Sequence, residues 1–252
     1  MKVTIFGSGT STGVPVIGCA CRVCRSKSPR DRRSRCSVLV QESGLNILID
    51  TSIDLREQML RHNVDRIDAI LFTHPHADHI FGLDDVRRYN LMQGGPIPCY
   101  GDDNTLKCLQ RAFGYAFRPG PPGGAVPQVN YTVVEEPFDL QGTRVIPIPV
   151  WHGPMRILAY RIGDFAYVVD TNRIDEPSLE LLKGVRTLVL DGLRPKPHPT
   201  HYSIPQAVEI ARRIGANCAY LTHLTHDVLH EELEKELPQG VRPAYDGLAF
   251  SV

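Results

Sequence analysis

The chain has 252 residues, of which 42% are hydrophobic and 22% charged, and its 28 basic and 28 acidic residues leave no net charge. This composition predicts one large α/β domain over residues 1–252, and the charge balance argues against a strongly basic surface for nucleic acid. The chain begins without a long apolar signal segment, and no run reaches the roughly eighteen apolar residues of a membrane span. We therefore expect a cytoplasmic protein with reduced thiols and no membrane partner.

The chain opens with a predicted strand, residues 3–6, that leads into Gly7-Ser8-Gly9. Together with Asp50 at the end of a later strand, these glycines superficially match a dinucleotide-binding fingerprint. The match fails because Pro15 and the cysteine-rich segment behind it prevent a helix from following at once. We interpret the glycines as positions where the backbone runs close to a site at the end of the strand.

Three thiols follow in a C-x-C-x-x-C spacing, at Cys19, Cys21 and Cys24. Three thiolates and one imidazole make a closed tetrahedral zinc site of the structural type, and His226 could supply the imidazole. Reduced loop thiols, or one disulfide and a spare thiol, are the alternatives. The other cysteines lie mostly among strand or helix residues and are predicted to be packed thiols: Cys36, Cys99, Cys108 and Cys218.

A local basic cluster overlaps this region and consists of Arg22, Arg25, Lys27, Arg30, Arg32, Arg33 and Arg35. A solvated loop is the simplest interpretation of such a cluster. Steering of a phosphate group, or a patch for RNA, is the functional alternative.

The most informative window is the segment His74-Pro75-His76-Ala77-Asp78-His79, which follows the apolar run 70–72. That run predicts the end of a buried strand, so the polar residues fall on a loop where open α/β sheets bind ligands. Asp78 and His79 are adjacent and must point in different directions, so each of two metals could take one pair of side chains. Imidazole suits Zn, Mn, Fe or Ni, and the carboxylate favours harder cations, as in a catalytic site.

Four further polar residues each end a strand-like apolar run: His152, Asp170, Asp191 and His223. Helical stretches are predicted between the strand-like runs, at 55–62, 105–113, 204–214 and 229–237. This alternation favours a four-layer αββα sandwich, an α/β fold.

The segment 118–127 is too rich in Pro and Gly for regular structure, and we interpret it as a loop that either shapes the substrate pocket or only connects elements.

The metal loop and the three later residues His152, Asp170 and His223 together resemble the metallo-β-lactamase superfamily. The resemblance implies two catalytic divalent ions, Mn or Zn and alternatively Fe or Ni. It implies one metal held by His74, His76 and His152, a second held by Asp78, His79 and His223, and Asp170 as the bridge between them. Asp78 is then both a ligand and a catalytic residue.

Within that superfamily the chain looks like the PhnP-type cyclic phosphodiesterases of the carbon-phosphorus lyase pathway. The likeness runs almost end to end and includes the segment 7–13, the cysteine cluster, Arg33-x-x-Cys36-Ser37, the metal loop and Tyr245-Asp246-Gly247. It implies a small phosphodiester substrate, a ribosyl 1,2-cyclic phosphate or a nucleoside 2',3'-cyclic phosphate. A hydroxide shared by the two metals would attack phosphorus in line. Phosphonate metabolism and a homodimer are further implications.

His201 matches by position a histidine that this family is thought to use near the leaving group, so it is the predicted general acid. The alternative is a surface histidine that caps a helix beginning near Ser203. Asp191 could hydrogen bond a ligand histidine or His201, and Thr73 and Thr222, like Thr171, could orient ligands. His198 matches no family motif and is predicted to have no role.

Two other functions stay open. A pyrroloquinoline quinone biosynthesis protein carries a similar cysteine cluster, and ribonuclease Z types share the metal loop. The same metals could therefore act on a tRNA precursor, a lactone or a thioester, and only the ribonuclease case brings a nucleic-acid partner. The non-enzymatic alternative is a metal-binding protein of cofactor biosynthesis.

Overall fold

The computed structural model describes residues 1–117 and 126–252, so the predicted loop 118–127 lies outside the described residues except for its last two positions. The strands in these ranges are β1 (Lys2–Gly7), β2 (Ser37–Glu42), β3 (Leu45–Ile49), β4 (Ala69–Leu71), β5 (Ile97–Gly101), β6 (Val129–Val133), β7 (Phe138–Leu140), β8 (Thr143–His152), β9 (Met155–Ile162), β10 (Phe165–Val168), β11 (Thr187–Asp191), β12 (Cys218–Thr222), β13 (Val241–Pro243) and β14 (Ala249–Ser251). The helices are α1 (Leu55–His62), α2 (Ala77–Ile80), α3 (Arg87–Gln93), α4 (Asp103–Ala112), α5 (Glu176–Leu182), α6 (Ile204–Ile214) and α7 (His230–Glu236).

The strands form two mixed sheets of the same design. One has the order β14-β1-β2-β3-β4-β5-β6, and the other has the order β13-β12-β11-β10-β9-β8-β7. In the first sheet β3 to β6 run parallel, and in the second β10 to β13 do. Parallel strands end at the same edge of their sheet, so the loops that follow β3 and β4 lie at one edge of the first sheet, and those that follow β10, β11 and β12 lie at one edge of the second.

The core has three apolar layers, which confirms the predicted αββα sandwich. Side chains from both sheets, such as Ile47 and Tyr167, fill the space between them. On the outer face of the first sheet Leu55 of α1 and Leu106 of α4 pack on the strands. Leu179, Ala207 and Leu233 from α5, α6 and α7 do the same on the second sheet. Strands buried on both faces explain the continuous apolar runs of the sequence.

Helix bounds follow the local signals closely. The predicted helices 55–62 and 204–214 coincide with α1 and α6, and α6 carries a capping box between Ser203 and Gln206. The prediction of 105–113 is two residues late, because the side chain of Asp102 accepts a hydrogen bond from the N–H of Thr105 and so starts α4 at Asp103. The predicted 229–237 is α7 extended by one residue at each end.

Part of the basic cluster is structural and does not form a solvated loop. Arg33 is 1% exposed. Its guanidinium donates to the backbone carbonyls of Thr225 (2.6 Å) and Val228 (2.9 Å), and Asp31 lies 3.2 Å away as its ion-pair partner. Three further members of the cluster pair with carboxylates: Arg22 with Glu232, Arg30 with Glu234 and Arg35 with Asp54. These ion pairs neutralise much of the positive charge of the cluster, which argues against a patch for RNA.

The helices in the described ranges are all too short or too polar to cross a bilayer.

Candidate metal centres

The predicted metal loop leaves the end of β4 and turns into the four-residue helix α2. His74 is fully buried, and its Nε2 lies 3.1 Å from Nδ1 of His76. Asp78 and His79 follow in α2, where Oδ2 of Asp78 lies 3.3 Å from Nε2 of His79. The loop therefore presents two separate pairs of donor atoms, which is the arrangement that the spacing predicts.

Asp170 joins the two pairs from the opposite sheet. One carboxylate oxygen, Oδ2, lies 3.5 Å from Nε2 of His74. The other, Oδ1, lies 3.5 Å from Nε2 of His79 and 3.2 Å from Nε2 of His223. One carboxylate thus faces two groups of imidazoles with its two oxygens, and this is the geometry of a bridging ligand.

His152, at the end of β8, completes the first group. Its ring centroid lies 5.6 Å from that of His74 and 5.1 Å from that of His76. Its Nδ1–H donates to the backbone carbonyl of Thr200 at 2.9 Å, which leaves Nε2 as the free nitrogen of the neutral ring. Donor atoms of His152, Asp170 and His201 also lie within 4.8 Å of one another, so His201 borders the same centre.

The residues fit divalent cations, as their unpaired atoms show. Oδ2 of Asp78, Nε2 of His79, Oδ1 of Asp170 and Nε2 of His223 are buried and have no hydrogen-bond partner among the described residues. Burying polar atoms without partners costs about 1–3 kcal/mol each, so such atoms converge only where something else satisfies them. Imidazole and carboxylate together are donors for Zn²⁺, Mn²⁺ or Fe²⁺.

Two of the predicted ligands, His74 and Asp170, are held in their metal-binding forms, whereas His79 is not. Burial lowers the pKa of His79, but Asp170, Asp78 and Asp50 together raise it well above the usual value, so His79 must release a proton to bind metal. Burial lowers the pKa of His74 well below its usual value and keeps the ring neutral. Burial opposes ionisation of Asp170, but His223 and His79 hold the pKa of its carboxyl well below its usual range. Neutral imidazoles and charged carboxylates are the forms that bind metal.

Asp50 is a site residue that the sequence analysis did not identify. Its Oδ2 lies 2.7 Å from Nδ1 of His79, so the imidazole N–H donates to the carboxylate and Nε2 faces the centre. The N–H and hydroxyl of Thr73 also donate to Asp50, both at 2.8 Å. The available signal was that Asp50 directly follows β3, the strand that pairs with β4, from which the metal loop leaves. In the sequence, Asp50 was considered only together with the glycines at positions 7 and 9, as part of a dinucleotide-binding fingerprint.

Three site residues adopt a left-handed backbone conformation that side chains rarely take. The φ angles are +63° for Asp50, +54° for Asp170 and +61° for His223. Each residue follows closely on the end of a parallel strand. A non-glycine residue in this region costs on the order of 1 kcal/mol, and such strain clusters where a site requires it.

Asp191 and His201 form a hydrogen-bonded pair beside the metal ligands. Nδ1 of His201 lies 2.8 Å from Oδ2 of Asp191, which also accepts from the N–H of Thr171 at 2.8 Å. The ring of His201 stacks at 4.8 Å on that of His223 and lies 4.7 Å from that of His152. Of the two partners predicted for Asp191, the structure pairs it with His201. Burial lowers the pKa of His201.

The threonines predicted to orient ligands have different neighbours. The hydroxyl of Thr73 lies 3.0 Å from Nδ1 of His74. The hydroxyl of Thr222 lies 3.5 Å from the buried thiol of Cys36, and that of Thr171 donates to the carbonyl of Trp151. Only Thr73 therefore contacts a predicted ligand.

The cysteine cluster forms a second candidate metal centre. The Sγ atoms of Cys19, Cys21 and Cys24 lie 3.3, 3.5 and 3.4 Å from Nδ1 of His226, so the four donors converge on one point. All seven cysteines are free, and the disulfide alternative is therefore wrong for this structure. Of the four predicted packed thiols, Cys36 and Cys99 are buried, while Cys108 and Cys218 are partly exposed.

Cys21 should react as a thiolate once metal is removed. The backbone N–H of Cys24 lowers the pKa of the Cys21 thiol to about 6, together with contacts from Cys19, Cys24 and His226 and against the effect of burial. After chelation we expect iodoacetamide to label Cys21 rapidly at pH 7, with a rate that falls as the pH drops through about 6, because the thiolate is the nucleophile. Mass spectrometry of the alkylated peptides measures this.

Added Zn²⁺ should protect Cys21, and Cys36 is the control, because burial raises its pKa and it should stay unlabelled in the folded protein. A labelling midpoint near that of an ordinary thiol would contradict the prediction.

A family model described as Beta-lactamase superfamily domain matches residues 45–224, which includes every predicted ligand of the two-metal centre. A crystal structure described as a new diphosphatase from the PhnP family is 45% identical, with a TM-score of 0.93, and the match covers 100% of this chain and 97% of that one. An octanoyltransferase of Porphyromonas gingivalis is 40% identical over 98% of this chain. The chain spans about half the length of that relative, 51%.

The Zn²⁺-bound PqqB of Methylobacterium extorquens is 20% identical, with full coverage of both chains and a TM-score of 0.80. At that identity the likeness supports the fold alone.

Proposed function

The chain belongs to the beta-lactamase superfamily and, within it, to the PhnP family, and on that premise we propose that it hydrolyses phosphoric diesters with two divalent metal ions. The observation that carries the proposal is the carboxylate of Asp170, whose two oxygens face His74 on one side and His79 and His223 on the other. Paired cations suit an in-line displacement at phosphorus, because they stabilise both the attacking and the leaving oxygen.

In this proposal His74, His76 and His152 would hold the first metal, Asp78, His79 and His223 would hold the second, and Asp170 would serve both. The metals supply Lewis acidity and lower the pKa of water toward neutrality. Zn or Mn fits the donor set, with Fe or Ni as alternatives. The protein fixes the ligands through Asp50 on His79 and the carbonyl of Thr200 on His152.

His201 is the proposed general acid. Asp191 accepts the hydrogen bond of its Nδ1–H, so Nε2 is the nitrogen that can reach a substrate at the centre. In the protonated ring Nε2 would donate to the oxygen that leaves phosphorus, and Asp191 would stabilise the cation. This pair is the same type of arrangement by which a carboxylate orients a catalytic histidine in other hydrolases.

The proposed substrate is a cyclic phosphodiester, a ribosyl 1,2-cyclic phosphate or a nucleoside 2',3'-cyclic phosphate, opened to a monoester. The 45% identical diphosphatase favours a second candidate, hydrolysis of a phosphoric anhydride. Both reactions break a phosphorus–oxygen bond at a diester-type phosphorus, so the metal ligands serve either one. We do not propose octanoyl transfer for this chain, because it matches only half of the Porphyromonas gingivalis relative that carries that description.

The proposal is tested by hydrolysis of bis(p-nitrophenyl) phosphate, 2',3'-cyclic nucleotides and ADP with one purified sample, before and after chelation and after Mn²⁺ is added back. Metal is counted in parallel. Chelator-sensitive turnover that Mn²⁺ restores is the expected result. If a fully metal-loaded sample hydrolyses none of these substrates, the proposal is wrong. Hydrolysis of another type of ester, or a binding role in cofactor biosynthesis, would then be favoured.

A further inference from the structure

The loop between β11 and α6 carries a second imidazole besides His201, that of His198. The ring of His198 lies 5.0 Å from that of His201. His201 therefore has three imidazole neighbours within 5 Å, His152, His223 and His198, and only His198 is outside the predicted set of metal ligands. A polar ring in this position needs an explanation other than the metals.

The loop is fixed against the metal centre by its backbone. The carbonyl of Thr200 accepts from His152, and the carbonyl of Pro199 accepts from the side-chain amide of Asn172 at 2.9 Å. The N–H of Tyr202 donates to the carbonyl of Thr171, which lies between Asp170 and Asn172 in the chain. His198 thus stands on a segment whose position is set by the same residues that carry the ligands.

Hydrogen bonding also fixes which nitrogen of His198 carries a proton. Nδ1 accepts from the backbone N–H of Thr200 at 3.3 Å, and a backbone amide can only donate. The neutral ring must then carry its proton on Nε2. His198 presents a donor, which suits an oxygen-rich or anionic group.

The same loop carries a positive charge, Arg194, whose guanidinium reaches the carbonyl of Pro197, the residue before His198. Arg194 bonds the carbonyls of Lys196 (3.4 Å) and Pro197 (3.2 Å) in its own loop, and its charge acts on both His198 and His201. Within residues 1–117 and 126–252 no carboxylate lies within ion-pair distance of the Arg194 guanidinium. Most arginines of the amino-terminal cluster pair with carboxylates, whereas Arg194 bonds only backbone carbonyls of its own loop, so its charge is available to an anion that binds at this loop.

We propose that Arg194 and His198 form a subsite for an anionic leaving group, namely the phosphate released from a phosphoric anhydride. This rests on the proposed hydrolase function. The water oxygen bonds to the attacked phosphorus, and the bond from that phosphorus to the bridging oxygen breaks. The bridging oxygen keeps the electron pair and takes the proton of His201, while the water proton passes to solvent. Arg194 and His198 then hold the departing phosphate directly beside His201.

The anhydride is preferred to a phosphate placed elsewhere on a sugar because His198 lies next to His201 itself. A group that touches both rings has to be attached at the leaving oxygen or very near it. A cyclic phosphodiester whose leaving oxygen becomes an uncharged sugar hydroxyl gains nothing from the subsite.

The test compares Arg194→Gln and His198→Gln with the wild type on ADP and on 2',3'-cyclic AMP. Loss of a charge-assisted contact predicts a fall of about 10- to 100-fold in kcat/KM for ADP, mostly through KM. We expect less than about a twofold change for the cyclic substrate, whose leaving oxygen carries no charge. Lys196→Gln is the matched control, since Lys196 is an exposed cation of the same loop. Equal losses on both substrates, or none on ADP, would overturn the proposal.

Calorimetric binding of methylenediphosphonate, a non-hydrolysable diphosphate, separates this proposal from the proposed function. If the metal-loaded wild type hydrolyses no substrate, the function fails, and weaker methylenediphosphonate binding by the two variants still supports the subsite. If the variants bind methylenediphosphonate as the wild type does but lose affinity for ribose 5-phosphate, the anion belongs on the sugar and the anhydride assignment is wrong. Metal content is measured throughout and should be unchanged.

Discussion

Asp170→Asn is expected to abolish the proposed phosphodiester hydrolysis and to remove both proposed catalytic metals together. The change keeps the size of the side chain but replaces one anionic oxygen by an amide, while three imidazoles lie within 3.5 Å of the carboxylate. The amide nitrogen has no lone pair to donate to a metal, and the loss of the negative charge removes the attraction that both cations share. Activity should fall to the uncatalysed background.

Metal analysis is the decisive measurement for Asp170→Asn. The count should fall from three ions per chain to one, because the cysteine centre contains no residue of the other. Asp164→Asn, an exposed carboxylate at the other end of β10, is the matched control and should keep all three. A variant that retains two catalytic metals but loses activity would show that Asp170 acts in some way other than as their bridge.

His201→Ala should retain both catalytic metals and lose turnover. General acid catalysis contributes about 10²- to 10⁴-fold, so kcat on a 2',3'-cyclic nucleotide, whose leaving oxygen needs a proton, should fall by that range. The loss on bis(p-nitrophenyl) phosphate should be far smaller, because p-nitrophenolate leaves without protonation. The ratio of the two losses is the quantity to measure.

His62→Gln serves as the control for His201→Ala, because His62 is an imidazole of α1 that stacks on Phe6, outside both metal centres. It should leave both rates near the wild-type values. Equal losses on the two substrates in His201→Ala would take the acid role away from His201 and favour a role in holding the substrate or the metals.

Much of the candidate site could be predicted because its signals are local. The ligands of the metal loop lie within six consecutive positions, and His152, Asp170 and His223 each end an apolar run that becomes a strand. The bounds of α1 and α6 were likewise set by local signals: apolar spacing within each helix, the left-handed Asn63 that ends α1, and the capping box that starts α6. In such segments neighbours in sequence are also neighbours in space.

The remaining features depend on contacts between distant segments. Asp50 supports His79 only because β3 pairs with β4, and the sequence of neither strand reveals that pairing. Arg33 looks like a surface charge until Thr225 and Val228 supply its acceptors from almost 200 positions away. His198 gains its neighbours through a loop whose path depends on Thr200. Sheet order and loop path are set by global packing, and residue spacing carries little information about either.

The cysteine centre joins positions that are far apart along the chain. Cys19 and His226 are separated by 207 residues, so an ion bound there would act as a removable cross-link closing most of the polypeptide into a ring. Closing a ring restricts the unfolded chain, and the entropic effect grows with the logarithm of ring size. The link also cannot form until His226 has been synthesised. During translation the amino-terminal cysteines can bind the ion together with His226 only after almost the whole chain has been made. Metal binding at this centre is therefore a late step, and the completion of folding depends on the metal supply at that time.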